Sequence, residues 1–229
     1  MKLVFDIETV GFDFEALSES QQEHLLRFAE KEKCEDDKVL KREEAIRYLS
    51  LYPFTASVAA LAMLNVDTEQ VIVFYCGEPS EEWKSEDKLI TYKSIDEKEL
   101  LQKFWSYADK AKQLITFNGR QFDIPFLMFR SAILKVKPTK NFIKNRYDTK
   151  SHLDLLDQLT LHGMIRKFNL DFYCHAFGID SPKSHGVSGM DVKELFNSGR
   201  CKEIAIYCAD DVKATYKLYK IWNEYLNLE

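Results

Sequence analysis

Apolar and polar positions change period along the chain. Residues 2–7 (KLVFDI) read as a first strand. Two apolar runs, 57–66 (SVAALAMLNV) and 70–76 (QVIVFYC), flank the polar turn Asp67–Thr68–Glu69. They predict an antiparallel hairpin beside the first strand. Between strand and hairpin lies a charged stretch, 12–50, with leucines and aromatics at helical spacing. It predicts one or two amphipathic helices inserted at the sheet's edge. A helix capped by Asp96 follows over 96–109, then a strand over 112–117. Residues 123–134 form the next helix, with Asp123 as its cap and Pro125 in its first turn. The remainder predicts helices near 151–161, 168–177, 191–198 and 201–227, with a fifth short strand between 140 and 150. Strands come first and then alternate with helices, and neither a repeat nor a low-complexity linker interrupts them. One mixed α/β domain over residues 1–229 is the expectation.

Composition narrows this reading. The 229 residues are 45% hydrophobic and 30% charged, as in soluble globular proteins. Apolar runs stay short of the roughly 18 residues a membrane helix needs. The N-terminus reads as a strand and not as a signal peptide, so a cytoplasmic protein without membrane association is expected. The five cysteines (Cys34, Cys76, Cys174, Cys201, Cys208) form no C-x-x-C pair, which points to reduced thiols. A net charge of −5 speaks against a protein that coats nucleic acid through bulk charge. A local basic cluster runs against that balance: Lys135, Lys137, Lys140, Lys144, Arg146 and Lys150. It reads either as a solvated loop or as a phosphate-contacting patch.

Three acidic stretches carry candidate chemistry. In the strand FDIET, residues two apart share a face, so Asp6 and Glu8 point together, opposite Phe5 and Ile7. Two carboxylates held side by side repel, and a divalent cation with oxygen ligands is the usual compensation. By itself the pair also fits a strand leaving the core. In LITFNGRQFDIPFL, Asn118 and Asp123 bracket the end of a second strand, where they could face the first pair. In IAIYCADDVKATYKLY, Tyr207 and Asp211 are four apart on the last helix. Ile204, Tyr207, Asp211 and Ala214 would form its inward stripe, with Asp210 solvated. An acid within such a stripe is costly unless it has a partner. Asp154 reads as an ordinary acid in a first helical turn.

F-D-I-E-T, N-G-x-x-F-D-I-P-F-L and Y-C-x-D-D, in this order, resemble the three exonuclease motifs of the DEDD superfamily, and the tyrosine points to the DEDDy subgroup. The chain is similar to stand-alone predicted exonucleases related to the 3′–5′ exonuclease domain of family-B DNA polymerases. Residues 152–183 also resemble the helical segment between the second and third motifs, whereas the insertion at 12–50 falls outside the pattern. The resemblance implies a ribonuclease H-like fold, with a mixed central sheet of antiparallel hairpin and parallel strands flanked by helices. It also implies two divalent cations, Mg²⁺ or Mn²⁺, held by Asp6, Glu8, Asp123 and Asp211, with Tyr207 in the catalytic set. Asn118, Phe122 and Lys183 would contact substrate. Two cations can activate water and offset charge on a leaving oxygen. Tyr207, with an ordinary pKa of about 10, is better suited to orienting than to acting as a base. The expected substrate is a single-stranded 3′ end, DNA ahead of RNA. A non-catalytic binding module of the same fold is the alternative, disfavoured because all four acids are present. The sequence shows no polymerase segment after the third motif, which points away from proofreading in cis. A separate polymerase or repair partner is compatible with the chain.

Overall fold

The computed structural model describes residues 1–78, 80–145, 147–181, 189 and 191–228. Its centre is a mixed seven-stranded sheet in the order β4-β5-β3-β2-β1-β6-β7. The strands are β1 (Lys2–Gly11), β2 (Ala56–Asn65), β3 (Val71–Tyr75), β4 (Glu82–Lys84), β5 (Ile90–Ser94), β6 (Gln113–Thr116) and β7 (His152–Asp154). The expected hairpin is present: β2 pairs antiparallel with both β1 and β3. The pairs β1–β6, β6–β7 and β3–β5 are parallel.

The sheet departs from expectation in three places. The β4–β5 pair was not foreseen in an acid-rich stretch; it is pinned by Trp83 stacked on Tyr92 at 3.7 Å. The fifth strand falls not within 140–150 but at β7, inside a segment expected to be helical. The insertion does not sit at the sheet's edge. It leaves from β1 and returns into β2, both central strands.

Helices cover both faces. On one face, α3 (Glu97–Lys110) and α4 (Asp123–Ile133) pack on Leu3, Phe5 and Ile7 of β1. On the other lie α5 (Leu155–Leu159), α6 (Leu170–Ala176), α7 (Val192–Asn197) and the long α8 (Cys201–Tyr225). The insertion contains α1 (Glu19–Leu26) and α2 (Glu35–Arg47), then a 3-10 turn, Tyr48–Leu51. α2 is not amphipathic in the expected sense, because it buries none of its residues. The segment is anchored instead by buried Leu26, Ala29 and Leu49.

α8 runs across β1, β2 and β3. Its inward stripe is Ile204, Ala205, Cys208, Ala209, Val212 and Thr215, not the stripe through Tyr207 and Asp211. Those two lie at the margin, half-buried. The small residues permit close approach, and the Cys208 thiol donates to the Asp6 carbonyl at 3.5 Å. Asp210 is not solvated; it is partly buried and 3.4 Å from the Lys213 ammonium.

After β6 the chain turns sharply. Asn118 takes a left-handed conformation (φ 66°), and Ile124 N–H donates to the Gly119 carbonyl at 2.9 Å. A Cβ on Gly119 would meet the Thr116 side chain at 2.5 Å. Gly119→Ala is therefore expected to lower stability by about 1–3 kcal/mol through overpacking. Chemical denaturation checks this, and an unchanged midpoint would contradict it.

Candidate active site

Asp6 and Glu8 project from β1 toward α8, opposite Leu3, Phe5 and Ile7. At the Glu8–Thr9 step β1 pairs with a β2 that carries one extra residue, since Glu8 faces Ala60 and Thr9 faces Val58. Such bulges increase local twist and re-aim side chains beside active sites. Asp211 enters from α8. One carboxylate oxygen from each of Asp6, Glu8 and Asp211 can be chosen so that all lie within 4.8 Å of one another.

Asp123 arrives by another route. β6 pairs with β1 only at Lys2–Val4. Further along β1, the Ile7 N–H donates to Asp123 Oδ1 at 3.2 Å. Asp123 is thus not the cap of α4, a position taken by Phe122, but the first helical residue, fully buried against the strand that bears Asp6 and Glu8.

The electrostatics follow from this crowding. Burial, then the charges of Asp123, Asp211 and Glu8, push the Asp6 carboxyl well above the usual range. Burial, then Asp211 and Asp123, does the same to Glu8. Burial raises Asp123 to about 7, although its own N–H and that of Ile7 pull in the opposite direction. Tyr207 is shifted upward by burial, then by Asp211, Glu8 and Asp6, and it hydrogen-bonds Asp211. Its hydroxyl therefore stays protonated and donates. A set of hard oxygen donors whose strongest neighbours are also negative suits a hard divalent cation. The acidic group could hold such an ion.

Two cavities meet at the acids. Asp6, Tyr207 and Asp211 line one of about 460 Å³, together with Phe117, Asn118, Lys167, Phe168 and Asn169. Glu8 lines a second of about 770 Å³ with Phe122. Asn118 and Phe122 thus flank the acids on opposite sides; the Phe122 ring also packs at 5.6 Å on Phe126. Lys183 lies outside the described residues.

Sequence reasoning missed Lys167, Phe168 and Asn169. Asn169 caps α6 by accepting from the Phe172 N–H at 2.9 Å, and Lys167 donates to Gln121 at 3.1 Å. The signal was an asparagine ahead of an apolar helical run. Of the Lys135–Lys150 cluster, Lys140 donates to the Ala111 carbonyl just before β6, at the other end of that strand, and Arg146 lies outside the described residues. Asp154 was also underestimated. It ends β7 and caps α5, accepting from the Leu156 N–H at 3.0 Å. The same carboxylate accepts from the Asn118 and Arg120 N–H groups, both at 2.9 Å. Beneath it, burial and then the Arg120 charge lower the His152 imidazole to about 3, so it is neutral. One buried carboxylate therefore holds the turn that carries Asn118 and leads into Asp123.

Two outcomes follow. Groups whose folded pKa is raised bind more protons folded than unfolded, so stability falls as pH rises through that window. Without metal, the melting temperature is expected to drop between about pH 5 and about pH 8, and Mn²⁺ should restore more of it at the higher pH. A flat profile with no metal response in thermal scans would refute this. Asp154→Ala should cost about 2–4 kcal/mol by stranding the Asn118 and Arg120 N–H groups. Denaturant titration checks it, and a loss below about 1 kcal/mol would show that the turn holds without this carboxylate.

No curated protein matches the chain. Among solved structures, the family B DNA polymerase from the hyperthermophilic archaeon Pyrobaculum calidifontis superposes with a TM-score of 0.61 at 18% identity, over 98% of this chain and 25% of the polymerase chain. The chain thus spans a quarter of that protein's length, and at this identity the likeness establishes a shared, ribonuclease H-like fold. Residues 55–225 match the family described as predicted 3′–5′ exonuclease related to the exonuclease domain of PolB. That span holds Asp123, Tyr207 and Asp211, and the fold brings Asp6 and Glu8 to them. The chain belongs to this family of predicted 3′–5′ exonucleases.

Proposed function

We propose that the protein is a metal-dependent 3′–5′ exonuclease that removes nucleotides from single-stranded 3′ ends, with DNA favoured over RNA. The observation that carries the reading is the convergence of Asp6, Glu8 and Asp211 oxygens within 4.8 Å, with Asp123 tied to the same strand. Asp6, Glu8 and Asp211 would hold one Mg²⁺ or Mn²⁺, and Asp123 with Asp6 a second. Bound, these cations supply activated water and relief of charge on the leaving oxygen.

The chain's own side chains position the reactants. Tyr207, kept protonated and bonded to Asp211, orients by donation and does not abstract a proton. Asn118, Lys167 and Phe168 offer a polar contact, a phosphate contact and a stacking face along the Asp6 cavity. A net charge of −5 suits an enzyme that holds an end through a few contacts and then releases it.

The test uses 5′-labelled single-stranded DNA and RNA of equal sequence with Mg²⁺ or Mn²⁺, beside Asp6→Ala. A ladder shortening from the 3′ end is expected, faster on DNA. The variant should lose on the order of a hundredfold or more in rate. It should melt at an equal or higher temperature in the absence of metal, because it relieves crowded negative charge. Wild-type protein inert on both polymers would overturn the proposal, and faster RNA trimming would reassign the substrate.

A further inference from the structure

We infer that the end of the charged insertion forms one wall of a pocket for the terminal nucleotide, with Tyr48 stacked on its base. The inference rests on the exonuclease reading and assigns a role to a segment that the motifs leave without one.

The wall is held firmly although the helix before it buries nothing. Thr9 Oγ1 donates to the Ser50 carbonyl at 2.7 Å, and Phe12 N–H donates to the Thr55 carbonyl at 2.8 Å. Leu49 is fully buried. A Cβ on Gly11 would lie 3.1 Å from both the Leu49 Cβ and the Ser50 nitrogen, so strand and turn meet without intervening side chain. Within three residues after Glu8, at Thr9 and Gly11, the strand is therefore locked to the 3-10 turn that carries Tyr48.

The space enclosed has the right size and chemistry. Among the described residues, the cavity of about 770 Å³ is lined by Glu8 and Thr9 of β1, by Arg47, Tyr48 and Leu51 of the insertion, and by Phe122. Small-molecule sites run from roughly 300 to 1,000 Å³, a range that admits one nucleotide. Tyr48 is 42% exposed, and its hydroxyl donates to Glu44 at 2.9 Å, which fixes the ring before anything binds. A preset ring loses little entropy on stacking, and every base presents a π-face. Exposed Arg47 adds a positive charge beside the ring, suited to the nucleotide's phosphate. Leu51 and Phe122 supply apolar contacts for base and sugar.

Continuity with the acids names the occupant. Glu8 lines this cavity, Asp6 and Asp211 line the other, and the three form one acidic group. A strand whose cleaved phosphate sits at that group extends into both. The Asp6 side, with Asn118, Lys167 and Phe168, takes the body of the strand. The larger cavity, walled by the insertion, takes the single nucleotide at its end.

Fluorescence anisotropy tests this without turnover. A 5′-fluorescein oligothymidylate with an ordinary 3′ residue is compared with the same strand ending in an abasic residue, both in Ca²⁺. Wild-type protein should bind the ordinary end about tenfold tighter. Tyr48→Ala should bring that ratio close to one, whereas Tyr48→Phe, which keeps the ring but loses its bond to Glu44, should retain most of it. A wild-type ratio near one, or a ratio unchanged in Tyr48→Ala, would overturn the inference. Failure of the exonuclease reading looks different: the terminal base is discriminated in binding, yet no nucleotide is released with Mg²⁺ or Mn²⁺.

Discussion

A single backbone donor organises the site. β1 has β6 beside it only as far as Val4, and beyond that point its edge would carry unpaired groups in a buried place. The Ile7 N–H finds its partner in the Asp123 carboxylate. This bond sets the first turn of α4 against β1 and brings the fourth acid onto the strand that already bears two. It requires β6 to end early, the chain to turn at Asn118 in a left-handed conformation, and Gly119 to pass against Thr116. Asp154 holds that turn from the neighbouring parallel strand. The site is thus built from strand ends of unequal length, at the C-terminal edge where open α/β sheets hold their ligands.

The same arrangement is electrostatically unfavourable on its own. Asp6, Glu8 and Asp123 are each shifted upward mainly by burial; the charges of Asp123 and Asp211 add to it at Asp6, Asp211 and Asp123 at Glu8, and Asp154 and Asp211 at Asp123. The rest of the fold opposes the resulting expansion. α8 crosses three strands through small buried residues, and Cys208 bonds the backbone of Asp6 itself. Strain kept at a functional site and offset by well-packed surroundings is a general pattern. A cation held there would convert the liability into affinity, because the negative potential that destabilises the free protein would also attract the ion.

Much of this was legible in the sequence, and the losses have physical causes. The alternation in FDIET put Asp6 and Glu8 on one face, and the four-residue spacing put Tyr207 and Asp211 on one side of a helix; both relations are local. What local periodicity cannot report is which side of a helix faces inward when two sides carry apolar residues. Tyr207 and Asp211 were therefore placed in the core stripe, whereas Ala205, Cys208 and Ala209 occupy it. Asp123, which the sequence offers both as a helix cap and as one of the four acids, is the first helical residue and not the cap, because its decisive partner, the Ile7 N–H, is distant in sequence. The strand at His152–Asp154 was too short to show a period and was absorbed into the helix that follows. Asp154, with donors from two separate segments, could not be distinguished from a first-turn acid by spacing alone.

The insertion poses a different question. β1 and β2 are antiparallel neighbours that a two-residue turn could join, yet the chain takes residues 12–55 to connect them. Loop length is no strong obstacle, since each doubling costs only about 0.6 kcal/mol in closure entropy. A solvated excursion, with an outer helix that buries nothing, would be neutral cargo if it merely left and returned. Its last turn is not solvated in that way: Leu49 is buried, Ser50 is bonded to Thr9, and Gly11 gives up its side chain to admit the contact. The contacts that tie the segment back to β1 lie next to Glu8, whereas Leu26 and Ala29 are buried elsewhere in the excursion and its exposed charge lies on α2. A tie back to β1 placed beside the acids is what a segment shaped by the site would show, and a passive spacer would have no reason to place that tie there.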